Sequence, residues 1–295
     1  MVKHFLSLAA PAVGQNILML LVWQLNVIYV ARIGDSTTVA GIGLATATIN
    51  MLCNSILVGL NGAQETLVSQ AYGMKELQLC GRYFNRGLLL LFVFYVPLVV
   101  FLFFAEKILV AVGQDPATAE VAGHLVQRFI PAIFLWSVVD LLKRFLTCCN
   151  YAFVPLAAMV VGSVLHMLWL WLFVTVFEMG VNGVPMAMVM TESLKLLIIF
   201  IYARSLPEME DALFWPTMDV FTGWGQYLKL SIPTILMLLP EWWAFEFLII
   251  MAGYIGVKDQ AVMVVSLNLL GLMWMFPLGF SEAAAAVVGN SMGEN

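Results

Sequence analysis

Four glutamates, Glu65, Glu241, Glu246 and Glu282, stand in apolar surroundings with no lysine or arginine within four positions on either side. A carboxyl group so placed holds a cation or exchanges a proton, because a charge left unpaired in hydrocarbon costs at least ~2.5 kcal/mol. Trp242 and Trp243 follow Glu241 directly, and Trp274 stands on a later segment. Their ring faces offer a desolvated cation ~2 kcal/mol of attraction. Gln15, Asn16, Gln24, Asn50 and Asn268 are amides in equally apolar runs, suited to contacting a guest or to bonding helix to helix. Other charges have partners close by in sequence. Asp140 lies three and four positions before Lys143 and Arg144, and Glu192 three before Lys195, spacings that neutralise them on one helical face. Arg128 falls near a segment end, where its long stem can snorkel.

The segments that must position these groups are written for lipid. Of 295 residues, 62% are hydrophobic and 11% charged, with a mean hydropathy of +0.97. Residues 5–31, 38–64 and 87–105 contain no charge, and 151–177 contains only His166. Four further stretches, 121–150, 179–203, 230–257 and 260–288, reach spanning length with the acids and bases above inside them. A bilayer core demands ~20 apolar residues per helix, so the chain reads as eight spans. Lipid offers no partner to a free backbone group and the runs lack strand alternation, which predicts an all-α integral membrane protein.

Bulk charge and cysteine usage exclude other classes. A net charge of −5 gives no basic face for nucleic acid. Cys53, Cys80, Cys148 and Cys149 show neither metal-ligand nor disulfide spacing and read as small buried hydrophobes. His4, His124 and His166 are too scattered for a metal site. Gly289–Gly293 reads GNSMG, formally a hydrolase nucleophile elbow at Ser291, but an Ala-rich helix precedes it instead of a strand, so no enzyme is expected.

Orientation follows from the connections. Lys3, Lys75, Arg82, Arg86, Lys143, Arg144, Arg204 and Lys229 fall on the side of the N-terminus, against Arg32, Lys107 and Lys258 on the other, which predicts a cytoplasmic N-terminus. Counted inward at 1.5 Å per residue, Glu241 sits ~16 Å into a core ~30 Å thick. Glu246 lies farther out and ~140° around the helix, level with Asn268, to which it could bond. Pro240 is expected to distort the helix beside Glu241. Glu65 and Glu282 fall near the cytoplasmic interface and read as solvated helix-end acids.

The last two spans repeat the first two. Pro11 superposes on Pro233 and Gly34 on Gly256 at an offset of 222, and Gly59 on Gly279 and Gly73 on Gly293 at an offset of 220. An even number of helices separates the copies, which predicts a pseudo-two-fold along the membrane normal, a transporter-like feature. The domain organisation expected is a six-helix lobe over 1–204, a cytoplasmic linker over 205–223 and a partial second lobe over 224–295, two thirds of a twelve-helix protein.

The stretches 63–73 (AQETLVSQAYG), 231–253 (SIPTILMLLPEWWAFEFLIIMAG) and 268–293 (NLLGLMWMFPLGFSEAAAAVVGNSMG), supported by 129–132 (FIPA) and 180–187 (GVNGVPMA), resemble the multidrug and toxic compound extrusion (MATE) transporters, especially the eukaryotic branch. The resemblance implies two six-helix lobes forming a V that opens alternately to either side. It also implies export of small organic, often cationic, compounds against H+ or Na+ across a plasma or vacuolar-type membrane, without a cofactor. Asn50 matches a family position associated with the substrate cavity. Asn26 stands where bacterial and archaeal relatives often carry an acid, which moves ion coupling to the second lobe. Asn268 stands where some animal relatives carry a glutamate. Glu282 replaces a small residue and Val287 a basic one. The site expected is therefore Glu241, close to the midplane, as the proton carrier helped by Glu246, with Asn50, Trp242, Asn268, Trp274 and Gln15 for substrate. A lipid-linked saccharide flippase of related fold, a passive channel, and a non-functional fragment or assembly subunit are the competing readings.

Overall fold

The computed structural model describes residues 2–294 and, among them, holds eight helices long and apolar enough to span a bilayer. The first span is α1 (Val2–Ile33). The second is α2 (Ser36–Ile49) continued by α3 (Ser55–Gly73), and the third is α4 (Leu77–Phe103), followed by the short α5 (Ala105–Ala111). Spans four to six are α6 (Pro116–Cys148), α7 (Phe153–Leu170) and α8 (Gly183–Arg204). The repeat closes the chain as α9 (Trp224–Ile255) and α10 (Val257–Glu294). The expected all-α architecture is thus found, with Ser291 inside the continuous α10 and not at a strand-to-helix turn.

Local chemistry sets the helix ends. At the start of α2 the Asp35 carboxylate accepts from the Thr38 backbone N–H (2.9 Å) and hydroxyl (2.8 Å). Asp115 does the same with Thr118 ahead of α6, where Pro116 takes a first-turn position that needs no N–H. These bonds, the backbone one foremost, hold both carboxyls below their ordinary value. The caps are therefore fully formed above the unfolded carboxylate range and fade as pH falls through the lowered values.

Packing follows the repeat. A Cβ on Gly59 would lie 2.7 Å from the Ile235 Cα, and one on Gly279 would lie 2.6 Å from the Val13 Cα. Ile235 and Val13 are themselves related by the offset of 222, so the two contacts are mirror copies across the pseudo-two-fold. On the axis, Gly73 and Gly293 face each other so closely that a Cβ on either would come within 3.0 or 3.1 Å of the other's Cα. One turn away Ser69 meets Gly289, its own counterpart. Small residues at these four positions let the two copies touch backbone to backbone.

The two repeats differ in how well they are covered. Around α1–α3, helices α4, α6, α7 and α8 complete a core that includes all four cysteines, buried and free. The outer faces of α9 and α10 instead expose Leu236, Met237, Met251, Leu269 and Met273. The segment 205–223, read from sequence as a polar linker, is docked onto α4. Asn85 Nδ2 donates to the Phe214 carbonyl (3.1 Å), Arg204 Nη1 donates to that of Leu213 (2.7 Å), and Met209, Ala212 and Leu213 are buried.

Candidate functional site

The second span does not stay α-helical. Residues Asn50–Asn54 form one π-helical turn between α2 and α3, a wider winding that frees backbone carbonyls and turns side chains off the regular register. Against this turn lies the middle of α9. Glu246 Oε1 accepts from Asn50 Nδ2 (2.7 Å), and Asn50 Oδ1 in turn accepts from Asn54 Nδ2 (2.9 Å). One turn earlier on α9, the Trp243 indole N–H donates to the Met51 carbonyl (2.9 Å), an acceptor shared with the Ser55 hydroxyl (3.0 Å). The carboxyl from the second repeat and the amide pair from the first thus form one hydrogen-bonded chain across the repeat boundary. The buried Asn54 Oδ1 ends that chain with no partner among the described residues.

The remaining site candidates take separate places. Glu241, five positions before Glu246, is partly covered, and among the described residues it has no hydrogen bond or ion pair. Trp243 also packs edge-on against Phe247 (6.1 Å between centroids), and Trp274 against Phe245 (6.2 Å), so α9 and α10 carry an aromatic group beside the acids. Trp242 is half-buried and Trp274 exposed. Glu246 does not bond Asn268, as its depth suggested. The face of α9 carrying Glu246 turns to the π turn, and the Asn268 backbone carbonyl accepts instead from Gln24 Nε2 on α1. Gln15 is fully buried with Nε2 on the carbonyl of Ala152 (2.6 Å), the residue that caps the start of α7, a structural bond set apart from the acids.

A second polar cluster corrects the reading of Glu65 and Glu282 as solvated helix-end acids. Both enter a buried ion network centred on α6. Lys143 Nζ reaches Glu282 Oε1 (3.1 Å), Asp140 Oδ1 (3.4 Å) and Asn16 Oδ1 on α1 (2.9 Å). Arg144 Nε donates to Asp140 Oδ2 (2.9 Å), its Nη1 pairs with Glu65, and its Nη2 lies 3.7 Å from Glu282 Oε1. Asn61 Nδ2 adds a bond to Asp140 Oδ2 (3.0 Å). Asp140, Lys143, Arg144 and Glu282 are all buried. The signal was present in sequence: one acid against two adjacent bases inside a span leaves a positive charge that helices elsewhere must balance. It also alters the topology count, since Lys143 and Arg144 are buried inside the bundle and do not flank the membrane. Six bases against three remain, and the bias keeps its direction.

The local pair Glu192–Lys195 is formed as its spacing predicts, at 2.5 Å. Beside it His166 bridges Thr191 (2.8 Å) and Asn26 (2.9 Å), an arrangement no spacing rule exposes.

Comparison with known proteins agrees with this architecture. The MatE family profile matches residues 11–172 and 233–295, which takes in most of α9, all of α10 as far as described and the π turn, and leaves out the docked segment 205–223. The chain belongs to the MatE family. It is similar to Protein DETOXIFICATION 16 of Arabidopsis thaliana, 29% identical over 296 residues, covering 99% of this chain and 60% of that one. It is likewise similar to Multidrug and toxin extrusion protein 1 of Danio rerio, 30% identical over 294 residues, covering 99% of this chain and 49% of the relative. The chain therefore spans about half to three fifths of the length of these curated relatives. The crystal structure of the eukaryotic MATE transporter AtDTX14 superposes with a TM-score of 0.92 at 25% identity over 99% of this chain and 66% of that one. These MatE relatives are transporters and not enzymes, and this MatE chain is an integral multi-pass membrane protein.

Proposed function

We propose that the chain acts in export of organic cations in exchange for protons, with Glu246 as the exchanging carboxyl, Glu241 as its companion acid and Asn50 as the amide that holds Glu246 in place. The observation that carries this reading is the Glu246–Asn50 hydrogen bond. It joins an acid on the second repeat to a π turn on the first, the boundary along which two pseudo-equivalent bundles would rock. An amide N–H serves a charged or a protonated carboxyl alike, so the group is positioned in both states. When the acid is ionised it holds a cation, assisted by the faces of Trp242 and Trp274. When a proton arrives from outside, the neutral acid releases the cation outward, and linkage requires each ligand to weaken the other by the same factor. A cytoplasmic N-terminus belongs to the same reading, supported by the six-to-three excess of bases near the span ends on that side. The organic cargo and the six-helix, linker and two-helix division over 1–204, 205–223 and 224–295 belong to the same proposal, as does a plasma or vacuolar-type membrane.

The test is transport by proteoliposomes containing this chain. Tetraethylammonium flux that accelerates with an opposing proton gradient supports antiport. Flux indifferent to the gradient contradicts it, and translocation of a lipid-linked saccharide without gradient dependence would favour the flippase.

A further inference from the structure

The buried ion network is divided unequally between the repeats. Glu65 and Asn16 come from α3 and α1 of the first repeat and Asp140, Lys143 and Arg144 from α6 packed against it, and Glu282 on α10 is the one member from the second repeat. If Glu282 leaves, two carboxylates remain with two cations, a balanced set still joined through Arg144 to Asp140 and Glu65 and through Lys143 to Asp140. The network is therefore divisible at one place, between α6 and α10, without stranding a cation in the first repeat. The surfaces beside it pack through small residues, Ser69 facing Gly289 and Gly73 facing Gly293, and α10 also sends the Asn290 side chain across there. A cavity of about 480 Å3 opens at this same end of the bundle, lined by His4, Tyr72, Gly73, Lys75, Asn150 and Asn290 among others, and gives water a path to the seam. At the opposite end the repeats meet through neutral amides, Gln260 Nε2 donating to Gln114 Oε1 (2.7 Å) and Gln114 Nε2 to the Ile250 carbonyl (3.1 Å). Among the described residues, the ion pairs between the repeats are those that Glu282 makes with Lys143 and Arg144.

We propose that Glu282 is a positioning residue for transport: its pairing with Lys143 and Arg144 latches the N-terminal end of the bundle shut, and its release opens that end. This rests on the alternating-access reading of the preceding section, and it assigns the latch to residues distinct from the exchanging carboxyl.

A native thiol reports on the seam. Cys148 is 1% exposed, with Sγ 3.7 Å from the Glu65 carbonyl. Asn290 on α10, with its amide oriented to donate, reaches the Ser69 carbonyl (2.7 Å) and that of Cys148 (3.3 Å). All three of Cys53, Cys80 and Cys148 lie in the same buried core, but Cys148 is the one whose backbone Asn290 of α10 reaches, so withdrawal of α10 is expected to expose Cys148 and to leave Cys53 and Cys80 covered. The experiment is modification of the full chain by a membrane-impermeant maleimide, mapped by peptide mass spectrometry. Glu282→Gln is expected to raise the Cys148 rate roughly tenfold or more, with Cys53 and Cys80 unchanged as controls for unfolding, because loss of a buried pair moves a two-state equilibrium at least that far. A wild-type Cys148 rate in the folded variant overturns the proposal. Should Glu282→Gln not fold, Glu282→Asp carries the test: the shorter arm keeps the charge but loosens its contacts with Lys143 and Arg144, and a Cys148 rate faster than wild type with Cys53 and Cys80 unchanged is expected. A wild-type rate there overturns the latch. The labelling needs no substrate, so wild-type vesicles that fail to transport would defeat the antiport reading alone, and an unlatched seam would still be read out.

Discussion

Vesicles carrying Glu246→Gln are expected to equilibrate an organic cation without concentrating it. One pH unit is worth about 1.4 kcal/mol, so a one-for-one exchanger of proton for monovalent cation builds about a tenfold concentration ratio across a one-unit gradient. Glutamine keeps the volume and an oxygen that accepts from Asn50 Nδ2, so the hydrogen bond to the π turn survives and only the exchangeable proton is lost. The expected ratio in the variant is therefore about one, at any pH. A milder effect is expected of Glu241→Gln, since Glu241 is partly covered and unpaired among the described residues, and its charge adds to the hold on the cation without bridging the repeats. Accumulation in Glu246→Gln that still follows the gradient would transfer the role to another acid.

The second large effect is on stability. Arg144→Met removes the cation that pairs with Asp140 and Glu65 and approaches Glu282, leaving Lys143 to face three carboxylates in a buried site. Breaking a buried ion pair on one side costs about 3–5 kcal/mol, because the abandoned charge has neither water nor a partner. Thermal unfolding in detergent should show a sharp loss in Tm for Arg144→Met. Adding Asp140→Asn to it should recover a large part of the loss, since one surplus carboxylate is removed and Asn61 keeps a polar partner. Equal Tm values for the single variant and the wild type would show that the network contributes nothing to the fold.

The fold was legible because lipid imposes few solutions: long charge-free runs dictate helices, and the repeated Pro11/Pro233 and Gly59/Gly279 dictate the symmetry that the mirrored contacts with Val13 and Ile235 display. The site was legible only as a set of residue types. Asn50 and Glu246 were each singled out, yet their meeting was not, since a π turn at Asn50–Asn54 leaves no trace in hydrophobic periodicity and depth along two helices does not fix rotation about either. Glu65 and Glu282 were misread for a related reason. A search within four positions sees partners on the same helix, whereas Lys143 and Arg144 reach them from α6. His166 with Asn26 and Thr191 was hidden in the same way, three polar residues on three different spans.

The central claim, that the acid on α9 trades a proton for a cation at the repeat boundary, is tested most directly by following proton release when tetraethylammonium binds to the detergent-solubilised chain in weak buffer. About one proton released per cation bound by the wild type, and none by Glu246→Gln, is the expected result. Cation binding with no proton released by the wild type, or undiminished release from Glu246→Gln, would contradict it.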